Sequence, residues 1–90
     1  MVNAELESLR RQIDTIDADI VELLASRFRV TQKVGELKAR QGLEAIDPAR
    51  ESRQQTRYRE LAALHGLNTS LVVSLFRQVI AQVVEDHRAA

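Results

Sequence analysis

An apolar stripe of unusual length runs through the first half of the chain. Leu6, Leu9, Ile13, Ile16, Ile20, Leu23, Val30, Val34 and Leu37 recur at three- and four-residue steps, the spacing that stacks side chains along one face of an α-helix. The one step that fails is position 27, where an aliphatic residue is required and the sequence supplies Arg27. The spacing predicts a helix from about Ala4 to Arg40, with Asn3 as its N-cap and Gln41-Gly42 as its stop. At 1.5 Å per residue such a helix is roughly 55 Å long. A compact globule of this chain length is only about 30 Å across.

The rest of the chain is too short to cover that stripe. In "DPARE", Asp47 is a good N-cap and Pro48 suits the first helical position, where its missing N–H has no helical partner to lose. This second helix is expected to end near His65-Gly66. Asn68 or Thr69 then caps a third, running to about Asp86 with Leu71, Val72, Leu75, Phe76, Val79, Ile80, Val83 and Val84 as its apolar face. No stretch alternates with period two. The expected fold is therefore all-α, with one long and two shorter helices in a single domain over residues 1–90. The apolar surface left over needs another chain, most simply as a twofold homodimer with the long helices packed antiparallel.

Composition removes several function classes. Thirteen basic and thirteen acidic residues cancel, so no overall field draws nucleic acid or an anionic membrane. Phe28, Tyr58 and Phe76 are the only aromatic residues, too few for a base-stacking platform. Cysteine is absent, and His65 and His87 lie too far apart for a local metal motif. The opening "MVNAELESLRRQ" does not resemble a signal peptide, and no run approaches the roughly 20 apolar residues of a membrane span. A cytoplasmic location is the expectation.

Local placement of cations carries the remaining information. With Leu6 at heptad position a, Arg27 falls at a, and Arg10 and Lys38 fall at e, beside the stripe. A guanidinium on a buried seam must meet an anion or reach water, so two readings stand: Arg27 binds an anionic ligand, or it packs its methylenes and extends its head into solvent. Arg27 and Lys38 share a face about 16 Å apart along the axis, whereas Arg10 lies about 26 Å from Arg27. An antiparallel partner would bring its own Arg10 beside Arg27. At the start of the second helix, Arg50 sits where the helix dipole disfavours a cation; with Glu51 it forms either part of a site or a solvated pair. The steps Phe76, Ile80, Val83, His87 put the histidine at the end of the apolar face, as a cap for free carbonyls or as a donor at the rim of a pocket. Arg11, Arg29, Arg40, Arg53 and Arg59 fall off the stripe and are read as solvated. No P-loop, dinucleotide fingerprint, zinc pair or Ser-His-Asp order is present. Cations without a nucleophile suit catalysis by charge and shape, or simple binding of a dianion.

Taken together, "LRRQIDTIDADIVELLASR", "VGELK", "DPARE" and "GLNTSLVVSLFRQVI" resemble the all-helical chorismate mutase family over about residues 6 to 87. The resemblance implies an intertwined homodimer with two equivalent sites and a small dicarboxylate substrate. It also implies the Claisen rearrangement of chorismate to prephenate in aromatic amino acid biosynthesis, which needs no cofactor. By the resemblance, Arg27 and Arg10 of the other copy hold carboxylates, Arg50 assists, Lys38 donates to the ether oxygen, and Glu51 with the backbone near Asp47 holds the ring hydroxyl. The family commonly has glutamine or glutamate where this chain has His87, and often serine where it has Val83. Valine donates no hydrogen bond, whereas histidine can donate through one or both ring nitrogens. Activity is thus expected to depend on the protonation or tautomer of His87. Isochorismate pyruvate lyase and aminodeoxychorismate mutase are the alternatives within the fold, and a non-catalytic helical dimerisation module is the alternative outside enzymology.

Overall fold

The computed structural model describes residues 3–44 and 46–89; among these there are three α-helices and no strand. Helix α1 spans Ala4–Gln41, α2 spans Pro48–Leu64 and α3 spans Thr69–Ala89. The chain divides into two compact units, the first ending at Thr31 and the second beginning at Gln32, so α1 contributes to both.

Short polar side chains start each helix. The Leu6 N–H donates to Asn3 Oδ1 at 3.0 Å, the Arg50 N–H to Asp47 Oδ1 at 3.1 Å, and the Leu71 N–H to Asn68 Oδ1 at 3.0 Å. Each bond satisfies one amide that has no carbonyl a turn earlier to receive it. Of the two candidates for the third cap, the side chain that accepts is Asn68. Pro48 is the first residue of α2, as its fixed φ favours.

Glycines end α1 and α2. Gly42 and Gly66 have φ of 66° and 67°, a region costly for any residue with a Cβ. Beyond α1, the Gly42 N–H reaches Ala39 O at 3.4 Å and the Leu43 N–H reaches Lys38 O at 2.8 Å. Beyond α2, Gly66 and Leu67 make the same pair of bonds to Ala63 and Ala62 at 3.3 and 2.8 Å. Both ends are Schellman motifs. Helix α3 runs three residues beyond the expected Asp86, to Ala89. No glycine or proline follows Asp86 to break it, and His87 and Arg88 suit the negative end of the helix dipole.

In the unit that ends at Thr31, none of the described residues is buried. Its apolar stripe lies open, from Leu6 at 42% exposure to Leu23 at 69%. The second unit has a small core in which α2 packs against α3. Tyr58, Ala62 and Val72 are buried, with Val73, Phe76 and Ile80 packed around them. The rings of Tyr58 and Phe76 stack with centroids 4.1 Å apart and planes 9° from parallel, worth about 1 kcal/mol beyond the area they bury. Ala62 is wholly buried. Val34 and Leu37, which continue the stripe into this unit, are exposed.

Candidate functional site

Two of the candidate cations belong to the first unit. Arg10 is exposed, and its Nη1 lies 3.6 Å from Oε1 of Glu7, one turn earlier. Such a solvated pair holds the side chain weakly, so Arg10 can be recruited elsewhere at little cost. Arg27 is half-buried, and its Nη1 is shielded from solvent. A wholly snorkelled head would not be shielded in this way.

The other candidates belong to the second unit. Lys38 is half-buried in the last turn of α1. Asp47 is placed by its capping role: Oδ1 accepts from the Arg50 N–H, and its carbonyl accepts from the Glu51 N–H at 3.0 Å. The cap thereby fixes where α2 begins and where Arg50 and Glu51 leave the backbone. Glu51 is half-buried and Arg50 exposed. On α3, Val83 and His87 are half-buried and one turn apart, hence on one face.

The most informative geometry joins α3 to the end of α1. A Cβ built on Gly35 would lie 2.6 Å from His87 Nε2, 2.8 Å from Cδ2 and 3.0 Å from Cε1. The edge of the imidazole therefore rests against α1 where that helix has no side chain. Lys38 is three residues further on and shares that face. The structure thus brings His87 and Lys38, both capable of donating N–H bonds, onto one side of α1. A polar groove elsewhere on this unit is lined by Arg50, Ser52, Arg53, Thr56, Arg57 and Glu60; of the candidates only Arg50 borders it. Arg11, Arg29, Arg40, Arg53 and Arg59 are exposed, as expected off the stripe.

Gly35 stands within the segment "VGELK" but was not among the candidate site residues. The signal that could have found it is a glycine inside an otherwise strong helical pattern, where alanine would be more stable. Among the described residues no group of three His, Cys, Asp or Glu side chains could hold a metal ion. No helix among them is long and apolar enough to cross a membrane.

Comparison with known proteins identifies a family. Residues 9–88 match the family chorismate mutase type II. The chain is 37% identical over 79 residues to a T-protein of Enterobacter agglomerans, covering 88% of this chain and 21% of that protein. It is 32% identical over 86 residues to a chorismate mutase of Methanocaldococcus jannaschii, covering 96% and 82% of the two chains. It is also 31% identical over 84 residues to a 4-amino-4-deoxychorismate mutase of Streptomyces venezuelae, covering 91% and 82%. This chain belongs to the chorismate mutase type II family. It spans about a fifth of the T-protein and most of the other two relatives.

Proposed function

We propose that the chain is a chorismate mutase, converting chorismate to prephenate in a homodimer whose copies each lend Arg10 to the other's site. One observation carries the chemistry: the His87 imidazole lies against α1 at Gly35, one turn before Lys38. The rearrangement breaks the ether C–O bond as a C–C bond forms within the same molecule, and negative charge grows on the ether oxygen. Two N–H donors from one side of α1 suit that oxygen, and no nucleophile is required. Donors aimed at developing charge stabilise the transition state more than the ground state. Arg27 and a second copy's Arg10 take the carboxylates, with Arg50 assisting, and hold the substrate in its compact reactive conformer. Glu51 and the backbone at Asp47 receive the ring hydroxyl, while Val83 contributes shape alone.

The dimer is supported by α1, in which no described residue is buried and the apolar stripe is exposed. Arg10 and Arg27 are 17 residues apart on one helix, about 26 Å, too far to grip one small dianion from a single copy. An antiparallel partner supplies the missing arginine and covers the stripe together.

The test is to offer chorismate, isochorismate and aminodeoxychorismate to the purified protein side by side. Prephenate from chorismate, at a rate that falls about 10²- to 10³-fold in Lys38→Ala, is the expected result. Preference for the amino compound would move the assignment to the second reading, favoured by the likeness to the Streptomyces venezuelae protein. Turnover of none of the three would leave a dimerisation module.

A further inference from the structure

We infer that Gly35 is a positioning residue for His87: the bare backbone at this point of α1 is the seat that sets the imidazole beside Lys38. The inference deepens the proposed function, since the ether-oxygen role of His87 rests on that reading.

Gly35 differs from the chain's other two glycines. Gly42 and Gly66 have positive φ, and a Cβ on either would meet nothing within 4 Å. Their role is conformational. Gly35 has ordinary helical φ and lies inside α1, six residues before its end at Gln41. Glycine weakens a helix interior relative to alanine, so neither backbone geometry nor helix propensity favours it there. Space does. Two atoms of the His87 ring lie under 3.0 Å from where the Cβ would stand, closer than carbon and ring atoms tolerate.

What would yield is also determined. The atoms in the way are Nε2, Cδ2 and Cε1, the far end of a side chain with two rotatable bonds, and not the α3 backbone. A methyl group at position 35 therefore leaves the helices where they are and swings the imidazole off its seat. Lys38, a turn away, keeps its own place. The effect reaches the reaction through His87 alone, which makes the two positions energetically coupled.

A double-mutant cycle with a spectroscopic readout tests this. Wild type, Gly35→Ala, His87→Ala and the double variant are compared for chorismate turnover, thermal unfolding and ring signals of labelled histidine, read by NMR at one fixed pH. Gly35→Ala is expected to shift the His87 ring signals, leave those of His65 in place, and lower kcat about tenfold or more, with KM changing less. In the His87→Ala background the same change is expected to alter kcat by less than about twofold, because the ring it displaces is gone. If Gly35→Ala fails to fold but the double variant folds, the seat is likewise supported. Equal losses in both backgrounds, unmoved His87 signals, or a double variant that also fails to fold would overturn it. Should wild type turn over no substrate, the proposed function fails while the ring signals and unfolding cycle still decide whether Gly35 seats His87.

Discussion

Single side chains in this protein set where helices start, and one of them also belongs to the candidate site. Asp47 accepts the Arg50 amide and so fixes the first turn of α2. Asp47→Ala is expected to cost about 1 kcal/mol, lowering the melting temperature by about 5 °C, whereas Asp47→Asn keeps the cap and most of the stability. Thermal unfolding of the two variants checks this; equal losses would show that the carboxylate charge, not the cap, is responsible. Much at this scale was legible in the sequence. Asn3, Asp47 and Pro48 announced their places by residue type, because capping is a local interaction. Arg27 announced itself by interrupting a periodic stripe. The seat of His87 on Gly35 was not legible, since a contact between residues 52 positions apart depends on how α3 meets α1.

The elements divide by what they bury. Helices α2 and α3 hold a core built around stacked Tyr58 and Phe76 and the fully buried Ala62. Among the described residues of α1 none is buried, although its pattern is the most regular of the three. The periodicity thus identified the helix and its apolar face but could not identify what that face meets. Ile16, 56% exposed within the stripe, discriminates between a solvated helix and one closed by another copy. On a solvated helix Ile16→Lys changes stability by less than about 0.5 kcal/mol. In a coiled-coil-like seam it introduces a buried, unpartnered charge costing several kcal/mol. The expected outcome is loss of the dimer in sedimentation, together with loss of helicity. A variant that stays dimeric and fully helical would remove Ile16 from the interface.

At the scale of the whole molecule, ninety residues with equal numbers of basic and acidic side chains place their candidate site cations on different parts of the chain. If each site takes Arg27 from one copy and Arg10 from the other, inactive variants should complement. Refolding Arg10→Ala mixed with Arg27→Ala in equal amounts gives mixed dimers in which one site carries both changes and the other neither. Random pairing restores about a quarter of wild-type activity, and the assay of the refolded mixture reads it directly. No recovery would mean that both arginines of a site come from one chain. If a second copy covers the open stripe of α1, folding and pairing become one equilibrium. A chain that closed so long an apolar stripe only by meeting its twin would have no fixed melting point of its own: dilution would act on it as heating does on a monomer. How much of it stands folded would then be a matter of abundance, and near the dissociation constant of the pair halving its synthesis would remove more than half of the working protein.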